Sequence, residues 1–129
     1  MRTVAIVAFD QFTDIDVFLA WDLFNRVRLR EKAWQVKLVG TQPKHTSVCG
    51  IELAMHDTLT ACNTADIVFF ASGPGTRTVI KDPGFLNQLR LDPRHQLIGS
   101  MCSGSLILAK LGLLDGLTAT TYPTAIAEM

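Results

Sequence analysis

Cysteine is sparse in this chain, and its spacing carries no metal pattern. There are three, Cys49, Cys62 and Cys102. An odd number without C-x-x-C or C-x-x-H argues against a disulfide framework and a structural zinc site. Histidine is equally sparse. His45, His56 and His95 stand apart with no H-E-x-x-H pair, so no catalytic metal is expected. Excess charge is missing: 12 Lys and Arg balance 12 Asp and Glu. That counts against binding through phosphate neutralisation, and no nucleic-acid partner is expected. Long apolar runs are missing too. Val4–Phe9 is the longest near the start, far short of the about 20 residues of a membrane span. Arg2 before an apolar run has the look of a signal peptide, but Asp10 ends the run and no small-residue cleavage site follows. A cytoplasmic location with no membrane partner is expected. Repeats, linkers and low-complexity stretches are absent. With 48% apolar and 19% charged residues the chain is not of disordered type. Its 129 residues suit one domain with a self-sufficient core.

What is present is an alternation of short buried runs and amphipathic runs. Thr3–Phe9 predicts a strand, continuous in its apolarity as expected of a parallel strand covered on both faces. Val17, Trp21, Phe24 and Val27 recur at helical steps and predict a helix over 14–30, with Thr13 and Asp16 at the spacing of a capping box. Strands are expected at 34–40, 65–71, 97–101 and 119–122, with a short one at 51–53 after a loop over 42–50. Helices are expected at 57–62, 85–91 and 103–111, with one more beginning at Thr124. This order predicts an α/β fold with a mostly parallel, doubly wound sheet and helices on both faces. Sites in such sheets lie at the carboxyl ends of strands. Three segments qualify: 10–16, 71–77 and 101–104.

Segment 101–104 carries the most chemistry. Cys102 stands between a strand and a helix, with Ser100 two residues before and Gly104 two after. Small residues at those places permit the sharp bend of a nucleophile elbow. The bend would lift the sulfur above the sheet edge and aim the next helix's N-terminus at it, favouring thiolate. The other reading, a small buried residue ending a strand, stays open. Gly73 and Gly75, around Pro74, allow inward-facing amides for an oxyanion hole. A plain tight turn explains them as well, and Pro74 removes one donor. Asp16, at the start of the first helix, could in protonated form donate to the Cys102 sulfur, although the pattern alone favours its capping role. Asp14 is the competing carboxylate and reads as a solvated cap residue. Cys49 and Cys62 lack an elbow and read as packing residues.

These residues resemble the ThiJ/PfpI family of the class I glutamine-amidotransferase-like superfamily, in particular its isonitrile hydratase branch and related sensor domains of regulators. The likeness rests on Cys102-Ser103-Gly104, on Phe9, Thr13 and Asp16, on the turn 71–77, on Asp82-Pro83, on 111–116 and on 120–123. It implies a flavodoxin-like fold and a homodimer. It implies an enzyme, a hydratase or hydrolase with Cys102 as nucleophile and Asp16 contacting it, acting on a small-molecule substrate. Gly73, Gly75, Ser103 and Tyr122 would bind substrate or developing charge, and no nucleotide, metal or other cofactor is implied. The alternative is a non-enzymatic small-molecule or redox sensor of the same fold. Three departures stand out: Ala71 and Ser72 replace a proline and a glycine of the turn, Ser103 stands where peptidase-like members carry histidine, and Tyr122 where many hydratase-like members do. The family fold continues through further strands, so residues 1–129 are expected to form one domain incomplete at its C-terminus.

Overall fold

The computed structural model describes residues 1–119, 121 and 123–128, Thr124 by its backbone alone. Its centre is β1 (Arg2–Val7), where neighbouring side chains point to opposite faces and both sets are buried: Val4, Ala5, Ile6 and Val7 are all at most 2% exposed. Double burial is why the run is continuous rather than alternating. β1 pairs in parallel with β2 (Trp34–Gly40) on one side and with β6 (Ile67–Phe70) on the other. β7 (Leu97–Ser100) extends the sheet beside β6, and the two-residue β5 (Asp57–Thr58) extends it beside β2. The order is β5-β2-β1-β6-β7, with every pair parallel.

α1 (Asp14–Arg26) lays Val17 and Ala20 on the sheet, with Trp21 and Phe24 packed at its margin. The Trp34 indole donates to the Phe24 carbonyl at 2.8 Å, tying the helix to β2. The helix is shorter than the periodicity predicts. Val27–Leu29 form a 3₁₀ turn, and Val27 and Leu29 are 38% and 82% exposed, so no packing rewards a longer helix. The expected helix at 57–62 is instead β5 followed by a 3₁₀ stretch, Leu59–Thr64, in which Leu59 and Cys62 are both fully buried. Their three-residue spacing matches the 3₁₀ repeat. Residues expected as loop and lone strand form a hairpin, β3 (Lys44–Thr46) antiparallel to β4 (Glu52–Ala54).

The connection from β6 to β7 holds α2 (Thr76–Val79) and α3 (Pro83–Leu86). The Asp82 side chain accepts from the Gly84 amide at 2.9 Å, which starts α3 earlier than predicted, and a turn carries the chain on to buried Leu89. After β7 comes a 3₁₀ turn, Cys102–Gly104, and then α4 (Ser105–Lys110). Pro123–Glu128 is 3₁₀ rather than α-helical. The strand expected at 119–122 is not formed at Ala119 or Thr121, while Thr120, Tyr122 and Met129 lie outside the described residues.

Candidate active site

The carboxyl ends of β1, β6 and β7 bring the three predicted segments together. They enclose an open cavity of about 360 Å³, lined by Thr13, Asp16, Ser72, Gly73, Pro74, Arg77, Cys102 and Ser103. A second cleft of about 220 Å³, beside the Lys37–Asp57 ion pair, is lined by no cysteine or histidine.

Cys102 has φ +47°, in the left-handed region. A non-glycine residue there costs on the order of 1–3 kcal/mol and is held by its surroundings. Met101 N–H donates to the Phe70 carbonyl at 3.1 Å, the last rung between the strands. The Cys102 carbonyl accepts from the Ser105 hydroxyl at 3.1 Å and the Thr121 hydroxyl at 2.9 Å. Gly104 shows why the flanking residues are small. A Cβ on it would lie 2.6 Å from the Ala71 carbonyl oxygen and 2.9 Å from that of Phe70, with Ser100 Cβ at 3.3 Å. The helical turn therefore presses directly onto the β6 backbone, while Cys102 stays exposed at the cavity.

Asp16 is 5% exposed, and its carboxylate accepts a hydrogen bond from the Ser72 hydroxyl. This replaces the expected capping box: Thr13 holds the N-cap position without a side-chain bond. Instead the Thr13 amide donates to the Ser72 carbonyl at 2.8 Å, so both bonds join the β1–α1 loop to the turn after β6. Asp14 is not a free cap residue. It accepts from the Ser47 hydroxyl at 2.7 Å and the Cys49 amide at 3.3 Å, bonds that hold its carboxyl below the usual range. Its charge in turn pushes the exposed Cys49 thiol up. Burial pushes Cys62 up to about 12.

The two turn glycines answer to packing before chemistry. Gly73 has φ +139°, and a Cβ there would meet Gln11 O at 2.4 Å and Thr13 N at 2.6 Å. A Cβ on Gly75 would meet Asp10 O at 2.0 Å. The Gly75 amide donates to the Gln11 carbonyl at 3.2 Å, and Gly75 does not line the cavity. The turn packs so closely on residues 10–13 that the Gly75 amide is bonded within the fold. Gly73 does line the cavity, with its amide 3.5 Å from the Ser103 hydroxyl. Thr76, fully buried, donates to the Gly73 carbonyl at 2.9 Å and lies 3.3 Å from the Ser103 hydroxyl. Tyr122 lies outside the described residues. The histidines are elsewhere: His45 is buried against Asp10, His56 stacks on Trp21, and His95 pairs with Asp92. Two lining residues, Ser72 and Arg77, received no role from the sequence. The hydroxyl at a turn position where the resemblance implies glycine was the available signal for Ser72.

A model of the DJ-1/PfpI family matches residues 2–129. The chain belongs to the DJ-1/PfpI family. It is 32% identical over 78 residues to an isonitrile hydratase of Pseudomonas putida, a stretch covering 60% of this chain and 34% of that protein. Among solved structures, a ThiJ/PfpI family protein from Pseudomonas syringae superposes with a TM-score of 0.78 at 24% identity, over 89% of this chain and 48% of that one. An AraC family transcriptional regulator from Pseudomonas putida superposes with a TM-score of 0.76 at 18% identity, over 99% of this chain and 67% of that one. The five-stranded parallel sheet is thus that of DJ-1/PfpI proteins, and this chain spans about half of the first structure and a third of the hydratase.

Proposed function

We propose that this DJ-1/PfpI chain is a cysteine-dependent enzyme that adds water to a small electrophile, in the manner of an isonitrile hydratase. The observation that carries the reading is the shared cavity: Cys102, exposed on its left-handed elbow, and Asp16, buried and pinned by Ser72, line one space. Similarity to an isonitrile hydratase over the matched stretch supports the substrate type.

In this mechanism the Cys102 thiolate forms a bond to the terminal carbon of R–N≡C, and that carbon takes a proton from Asp16, giving the thioimidate R–N=CH–S–Cys102. Ser72 bonds to one carboxyl oxygen of Asp16 and leaves the other for the proton transfer. Water then adds to the thioimidate carbon, nitrogen is protonated, and the carbon–sulfur bond breaks to release R–NH–CHO and the thiol. The Ser103 amide lies in a first helical turn, where amides lack an intrahelical acceptor, and it faces the developing charge. The reading includes a homodimer, supported by Ile15, Leu19 and Leu23, which form an exposed apolar ridge on α1.

Formamide production from an alkyl isonitrile, followed by mass spectrometry, tests the reading. Cys102→Ala is expected to abolish turnover, and Asp16→Asn to lower it by about 100-fold or more. Undiminished turnover by Cys102→Ala would sink the mechanism. The exposure of Cys102 also favours a second reading, a redox sensor, since oxidation-sensing cysteines are solvent accessible. That reading expects reversible oxidation of Cys102 with no turnover of any isonitrile.

A further inference from the structure

The cavity at Cys102 is also lined by a cation. Arg77, in α2, is half-buried, and its guanidinium grips the carboxylate of Glu128, which lies 51 residues along the chain. Arg77 Nε is 2.9 Å from both carboxylate oxygens, and Nη2 is 2.8 Å from Oε1. The planar fork of an arginine matches a carboxylate in this two-point fashion, which a lysine does not reproduce. The occupant is loosely held. The Glu128 side chain is 41% exposed, and an ion pair at that exposure is weak. Among the described residues Arg77 pairs with Glu128 and not with Asp16, the acid that lines the cavity, whose carboxyl is bonded to Ser72.

We infer that this cavity selects small electrophiles bearing a carboxylate, with Arg77 as the specificity-determining residue and Glu128 as a displaceable stand-in for the substrate's carboxylate. The inference rests on Cys102 being the reactive group of the same cavity. A substrate anchored at Arg77 would present its electrophilic carbon to the sulfur, and the ligand would lose affinity in a cavity stripped of the guanidinium. The size of the space, about 360 Å³, suits a small molecule.

Two alkylating reagents of similar size separate these ideas: iodoacetate, which carries a carboxylate, and iodoacetamide, which does not. Each forms a sulfur–carbon bond and releases iodide. Rates at Cys102 are read by peptide mass spectrometry on the full chain. The iodoacetate-to-iodoacetamide ratio is expected to fall about fivefold in Arg77→Gln, with the iodoacetamide rate little changed. Arg77→Lys should keep part of the preference, and Glu128→Gln should raise the ratio by freeing the guanidinium. A ratio unmoved by Arg77→Gln, or lowered by Glu128→Gln, overturns the role of Arg77 while leaving the nucleophile intact. Inertness of Cys102 toward both reagents overturns the nucleophile and this inference with it.

Discussion

The three cysteines differ in environment so strongly that their order of alkylation by a neutral reagent tests the whole account of the site. Cys62 is fully buried and its thiol is pushed up to about 12. At pH 8 its thiolate fraction is then about one in 10⁴, against about one in four for an ordinary thiol near 8.5, a deficit of roughly 2,000-fold before access is considered. Cys49 is exposed, but the Asp14 carboxylate beside it disfavours its thiolate. Cys102 is exposed on its elbow at the cavity, and among the described residues no carboxylate is bonded to its sulfur. The expected order in the native chain is Cys102, then Cys49, then Cys62. Asp14→Asn should speed Cys49 several-fold and leave Cys102 alone. In concentrated urea the three rates should converge, because burial and the Asp14 contact both vanish. Iodoacetamide labelling at pH 8 with peptide-level mass spectrometry reads all three sites in one sample. A native Cys102 rate no greater than that of Cys49 would refute the elbow as an activating device. A Cys62 rate within tenfold of the others would refute the packing of the 59–64 turn.

Two further outcomes follow from the same geometry. Gly104→Ala forces a Cβ to within 2.6 Å of the Ala71 carbonyl, so chemical denaturation should show a loss of about 1–3 kcal/mol together with slower Cys102 labelling as the elbow shifts. Because the folded-state thiol of Cys62 lies above its unfolded value, its contribution to stability is complete below about pH 8.5 and is lost as pH rises toward about 12. Denaturation midpoints measured over that window should decline, and Cys62→Ala should flatten the decline; an equal slope in both proteins would contradict it.

The long strands of the sheet are legible in the sequence. Covered strands leave continuous apolar runs, which is why Val4–Phe9, buried on both faces, and Ile67–Phe70, with Val68 and Phe70 buried and Ile67 and Phe69 half-buried, stand out. The elbow was legible too, because the small residues at 100 and 104 answer a local demand, the close approach of one helical turn to the neighbouring strand. The partner of the short strand expected at 51–53 was not. Lys44–Thr46 has too few residues for a period to show, and only its pairing with Glu52–Ala54 makes it a strand.

Sequence alone therefore determined the four longer strands of the sheet, the three loops that meet at the site, and Cys102 as the residue to watch. All of these follow from periodicity and turn chemistry within a few residues. The tertiary structure decided which polar atoms each loop satisfies. It turned Asp16 from its own helix cap to Ser72, 56 residues away, closed the Gly75 amide onto Gln11, and set Glu128 against Arg77. Such partners belong to loops that meet only when the parallel strands align their carboxyl ends, and no local pattern records which atoms will then lie within reach.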